Sequence, residues 1–119
     1  MNISELVSKA HTNAKNHGFW DPPLPFGTAI ALIHSELSEA LEEERAGRPL
    51  MYFKEVNGFI VTEFNEWRGE KPEGVAVELA DAVIRIADLC GYLGIDLEKA
   101  IAEKMAYNET RPYKHGKQF

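Results

Sequence analysis

Cysteine occurs once in the 119 residues, so no disulfide can close within the chain. Cys90 lies in an apolar periodic run with Val83, Ile84, Ile86, Ala87 and Leu89, which reads as an inert core position in a reducing cytoplasm. Nowhere does the chain approach the roughly 18 to 20 uninterrupted apolar residues of a membrane span. Its start, Met-Asn-Ile-Ser-Glu-Leu-Val, lacks the basic-then-apolar order of a signal peptide. The expectation is a soluble, unprocessed, cytoplasmic protein with no membrane partner. Positive charge is scarce too: 13 Lys and Arg stand against 19 Asp and Glu, which excludes the broad basic face of a duplex nucleic-acid binder. There is no G-x-x-x-x-G-K-[ST] phosphate loop and no solenoid repeat. His11, His17, His34 and His115 show no zinc-site spacing.

What is present fits one domain over residues 1–119, long enough to bury roughly two-thirds of its unfolded surface. Ile3, Leu6, Val7, Ala10 and Ala14 recur at three-and-four intervals before Gly18, predicting a helix from about Ser4 to His17. The proline-rich run Phe19 to Gly27 is an ordered turn or loop. A second helix is expected from Thr28, as N-cap, to about Ala46, with Gly47 and Pro49 beyond. Met51–Val56 and Phe59–Phe64 flank Asn57-Gly58, the strongest two-residue hairpin signal. After a polar stretch from Arg68 to Glu73, a third helix runs from about Gly74 to Leu93, and a fourth from Asp96 as N-cap to about Thr110. The predicted fold class is all-α, four helices with a small β-hairpin inserted between helices two and three.

Acidic residues carry the chemistry. On a helix, Glu36 and Glu39 lie about 60° apart, as do Glu78 and Asp81, so each pair shares a face. Beside each pair runs an apolar stripe, with Ile33, Leu37, Ala40 and Leu41 on one helix and Leu79, Val83, Ile86 and Cys90 on the other. Stripes packed antiparallel would bring the two acidic edges together. Four such carboxylates repel by roughly 1 kcal/mol per close pair in water, and by more where water is excluded. Hard, oxygen-only, anionic ligands select Mg²⁺, with Mn²⁺ as a substitute. Glu43, one turn beyond Glu39, falls on the same face and is a further candidate to hold metal or water. The charge is uneven: Lys104, Arg111, Lys114 and Lys117 against Glu109 give the C-terminal run +3, leaving −9 on the rest. Lys104, Asn108 and Arg111, spaced by four and three, line one helix face suited to an anion.

These segments together resemble the MazG-like family of all-α nucleoside triphosphate pyrophosphohydrolases. The likeness lies in I-H-S-E-L-S-E-A (Ile33 to Ala40), V-E-L-A-D-A-V-I (Val77 to Ile84), I-D-L-E-K-A-I (Ile95 to Ile101) and K-M-A-Y-N-E-T-R-P-Y-K-H-G-K-Q-F (Lys104 to Phe119). It implies a four-helix MazG-like bundle that assembles as a homodimer or homotetramer and splits a nucleoside triphosphate into monophosphate and pyrophosphate. Glu36, Glu39, Glu78 and Asp81 would bind Mg²⁺. Lys104, Asn108 and Arg111, followed by Tyr113, Lys114 and Lys117, would contact phosphates, while Glu39 or Glu43 orients the attacking water. The 38 residues between Glu39 and Glu78 exceed the spacing of compact members because the hairpin region intervenes. Arg85 stands where some relatives have tyrosine and is open to three roles: steadying the carboxylates, reading substrate, or pairing with Asp88.

Other residues keep two readings at this stage. Trp20 and Phe19 either stack on a base or cap the end of the bundle. Trp67, Tyr52, Phe53, Phe59 and Phe64 read as core or subunit contact. Two alternatives to the main function are hydrolysis of phosphoribosyl-ATP and a non-catalytic metal-binding helical module.

Overall fold

The computed structural model describes residues 1–54, 59–62, 67 and 69–116. Four helices, α1 (Ile3–Asn16), α2 (Phe26–Arg45), α3 (Val75–Leu93) and α4 (Leu97–Glu109), carry most of the chain. Three short strands, β1 (Tyr52–Lys54), β2 (Ile60–Val61) and β3 (Lys71–Glu73), lie between α2 and α3, and a final 3₁₀ turn covers Tyr113–Gly116. The helix ends follow local chemistry. The Asn2 side chain accepts the Glu5 amide at 2.7 Å to cap α1, and the Asp96 side chain accepts that of Lys99 at 3.1 Å to cap α4. Gly94, at φ +71°, ends α3 in the left-handed conformation while the Ile95 amide reaches back to the Cys90 carbonyl at 2.9 Å.

Helix α2 begins at Phe26 with Pro25 as its N-cap, three residues before the expected Thr28. Proline's fixed φ suits a helix start, and the Pro25 carbonyl takes the Ala29 amide at 3.0 Å. The hairpin is part of a three-stranded antiparallel sheet in the order β2-β1-β3. Phe53 pairs with Val61 and Lys54 with Ile60. The Asn57-Gly58 turn itself lies outside the described residues. Strand β3 falls in the stretch read from the sequence only as polar. Its Pro72 is accommodated because β3 is an edge strand, where a residue with no N–H to donate is tolerated. Gly74, at φ +110°, opens α3 against the chain leaving α2: a Cβ there would lie 2.4 Å from the Leu50 carbonyl oxygen.

Helix α3 packs on α1 along one side and on α2 along another, while α4 touches chiefly α1. The Glu98 carboxylate fixes that contact by accepting the Ile3 amide at 3.2 Å and the Ser4 hydroxyl at 3.3 Å. No residue of α4 is buried, so the expected four-helix bundle is, within one chain, a three-helix layer with α4 at its margin. Small residues, Ala14, Ala29, Ala40, Ala82 and Ala87, form much of the buried set. The larger apolar side chains do not enclose it. Leu37, Leu41, Leu79, Val83 and Ile86 are each more than a third exposed. The larger members of the two stripes therefore do not bury one another as the sequence suggested: α2 and α3 meet on their acid-bearing faces, with the smaller stripe residues Ala40 and Cys90 buried and Leu37, Leu41, Leu79, Val83 and Ile86 left outside. The radius of gyration is 17.3 Å, against about 13 to 14 Å for a compact chain of this length. The accessible surface is 8940 Å², where a monomer of this mass exposes about 6,500 Å². No helix among the described residues is long and apolar enough to cross a membrane.

Candidate metal centre

Successive turns of α2 and α3 face each other with carboxylates. Glu36, Glu78 and Asp81 each present an oxygen, and the three atoms lie within 4.8 Å of one another. Glu39 is near enough for its charge to bear on Glu78, but it is exposed and sits at the rim. Arg85, one turn beyond Asp81, crosses from α3 to donate Nε–H to Glu36 Oε1 at 2.8 Å. This resolves one of the three roles open to it: the guanidinium steadies the cluster and does not pair with Asp88.

The cluster is under-satisfied. Glu36 is almost wholly buried, and the Oε2 atoms of Glu36 and Glu78 are buried with no hydrogen-bond donor. Each such atom costs about 1–3 kcal/mol, more when charged. Burial raises the Glu36 titration, but the Arg85 guanidinium, through its hydrogen bond and its charge, brings it below the ordinary carboxylate value. Glu78 is pushed up to about 8 by burial and by the negative charge of Glu39 and Glu36 beside it. Asp81 is raised by burial and by Glu36, with Arg85 opposing. Like charges packed this closely favour a proton on Glu78. A donor set made only of carboxylate oxygens, two of them partnerless, fits a hard divalent cation, which would expel that proton on binding.

Beside the cluster opens a cleft of about 430 Å³. Ala10, Ala14, Phe19, Leu24, Leu32 and Ile84 make its walls mostly apolar, while Glu36, Asp81, Arg85, Asp88 and Asn13 supply polar groups. Trp20 is not an open base platform. It is buried, its ring stacks on Tyr92 at 4.0 Å, and its Nε1 donates to Asp88 Oδ1 at 2.8 Å. The same oxygen is 2.8 Å from His11 Nδ1. Trp20 therefore packs the end of the layer, and exposed Phe19 is the aromatic wall of the cleft. Gly91 makes room for this network, since a Cβ there would lie 2.5 Å from His11 Cβ.

Glu43 is placed elsewhere. Both of its oxygens accept the hydroxyl of the fully buried Tyr52 at 2.9 Å, and Arg48 pairs with it at 3.2 Å. It joins α2 to the sheet and not to the carboxylate cluster. Lys104 on α4 and Arg111 just past its end lie 4.8 and 5.6 Å from the Tyr107 ring centre, and the buried Asn108 Oδ1 has no donor. Lys114 lies 5.9 Å from the Tyr113 ring centre, and Lys117 is outside the described residues. The cationic face and the acidic cluster thus belong to different helix pairs. The network of Asp88, His11 and Trp20 escaped the sequence reading, although Asp88 follows Asp81 by seven residues and shares its helix face. No family model matches the chain, nor does any curated protein or solved structure.

The raised Glu78 titration has a stability consequence. Its folded value of about 8 exceeds the ordinary 4.5, so its stabilising contribution is full below about pH 4.5 and is lost as pH rises through about 8. Asp81 has the same sign, whereas the contribution of Glu36 changes only in more acidic solution. In chelator, the melting temperature of the wild-type protein should fall between about pH 5 and pH 8. Glu78→Gln should flatten much of that slope, and so should millimolar Mg²⁺ with the wild type. A wild-type melting temperature that rises steadily across this window would contradict the assignment.

Proposed function

We propose that this protein is a MazG-like nucleoside triphosphate pyrophosphohydrolase, splitting its substrate into nucleoside monophosphate and pyrophosphate. The observation that carries the reading is the buried, donor-poor carboxylate cluster opening onto an apolar cleft. The cleft lies within the roughly 300–1,000 Å³ of small-molecule sites, and its apolar walls suit a nucleobase, with Phe19 as the stacking surface. Glu36, Glu78 and Asp81, with Glu39 at the rim, would hold Mg²⁺. When bound there, the ion would neutralise and polarise phosphate oxygens.

The chain's own residues do the rest. Glu39, exposed and adjacent to the cluster, orients and deprotonates the attacking water. Glu43 is held by Tyr52 and Arg48, so the role falls to Glu39 alone. With the β and γ phosphates bound as one charged unit, pyrophosphate is the natural leaving group and the α-phosphorus is the atom attacked. Lys104 and Arg111 then neutralise the leaving end, and Asn108 can hydrogen-bond to it. Since α4 rests on α1, we assign these three to the site of a neighbouring subunit in a homodimer or homotetramer. The exposed stripes of α2 and α3 and the excess accessible surface support such an assembly.

With Mg²⁺ and a panel of nucleoside triphosphates, pyrophosphate should be released, and reaction in ¹⁸O-labelled water should place the label on the monophosphate. Glu39→Gln and Asp81→Asn should each lose on the order of 10²-fold in kcat with helix content intact. Label in free orthophosphate, full activity in both variants, or no release from any triphosphate would refute the reading. For the assembly, sedimentation velocity should give a multiple of the 13.4 kDa chain. The pair Leu79→Arg and Val83→Arg should shift it to the monomer. A monomeric wild type would refute the assembly.

A further inference from the structure

We propose that Arg85 is an exchangeable counter-ion: it neutralises the carboxylate cluster in the absence of metal, is displaced from Glu36 by a divalent cation, and then pairs with the anionic group of the ligand in the cleft. The proposal rests on the metal reading above. Glu36 is the most buried carboxylate of the cluster, and its two oxygens are in different surroundings. Oε1 is held by Arg85 Nε at 2.8 Å, while Oε2 is buried with no donor. A dication reaching Oε2 would share one carboxylate with a guanidinium. Two cations that close repel strongly where water is partly excluded, so uptake of the metal weakens the arginine's hold.

Arg85 has somewhere to go. Its side chain is 41% exposed, against 9% for that of Glu36, and it lines the cleft in company with Phe19, Asp81 and Asp88. Its bond to Glu36 uses Nε. A guanidinium is a planar fork matched to two phosphate oxygens, stays charged at all relevant pH, and sheds water more readily than an ammonium. Metal and ligand therefore bind in a favourable order: the cation frees the arginine, and the freed arginine adds to the affinity for the anion.

Arg85→Gln and Arg85→Lys test this in the full-length protein at alkaline pH, where the carboxylates are ionised. Mn²⁺ binding is followed by electron paramagnetic resonance, and binding of an α,β-methylene nucleoside triphosphate by calorimetry with Mn²⁺ present. Arg85→Gln should bind Mn²⁺ on the order of tenfold more tightly than wild type, having no charge-assisted bond to displace. It should bind the nucleotide on the order of tenfold more weakly, and it should melt lower in chelator with most of that loss recovered by Mn²⁺. Arg85→Lys keeps the cluster neutralised, so it serves if the glutamine variant fails to fold, and without the fork it should still bind nucleotide several-fold more weakly. Unchanged or weaker Mn²⁺ binding in Arg85→Gln, or unchanged nucleotide binding in both variants, would overturn the exchange while leaving the metal site standing. A wild-type protein that takes up no Mn²⁺ would overturn both.

Discussion

The confrontation of carboxylates across the α2–α3 interface is the constraint on which the rest of the molecule depends. Two helices that meet on acidic faces leave most of the larger side chains of the adjoining apolar stripes uncovered. The interface is held electrostatically by Arg85 reaching Glu36. That bond compensates one oxygen of a cluster in which two others have no donor. A design serving stability alone would replace such a group with packed apolar side chains at no loss. Its retention at the end of a cleft is what directs attention to ligand chemistry.

The same constraint explains the shape. With the acidic faces turned inward, Leu37, Leu41, Leu79, Val83 and Ile86 are left exposed, and α4 has little besides α1 to rest on. The accessible surface in excess of a compact monomer's is the physical ground for expecting further subunits. An assembly would cover those stripes and provide a route by which cationic residues of α4 serve an acidic site on another chain. The sheet plays a local part. Tyr52 drives its hydroxyl into Glu43 and so clamps the end of α2 to the segment that leads into α3.

Local signals were legible in the sequence. Gly94 as the end of α3, Asp96 as the cap of α4 and the register of Glu36, Glu78 and Asp81 all depend on spacing within a few turns. Long-range contact was not legible in the same way. Periodicity revealed two apolar stripes and the meeting of the acidic edges beside them, but not that the larger stripe residues Leu37, Leu41, Leu79, Val83 and Ile86 would stay exposed. Glu43 shares the helical face of Glu36, yet Tyr52, far along in a strand, claims it. Trp20 looked available for stacking because nothing local announced Asp88 and Tyr92 as its partners. Lys71-Pro72-Glu73 gave no strand signal beyond polarity, because proline's tolerance at a sheet edge depends on there being an edge.

Everything proposed for this site requires that the cluster between α2 and α3 hold a divalent cation. Crystals grown or soaked with Mn²⁺, with diffraction collected on either side of the manganese edge, test this. An anomalous peak bounded by carboxylate oxygens of Glu36, Glu78 and Asp81, absent after chelation, is expected. Full Mn²⁺ exposure with no peak there, or with manganese only at surface carboxylates elsewhere, would contradict it.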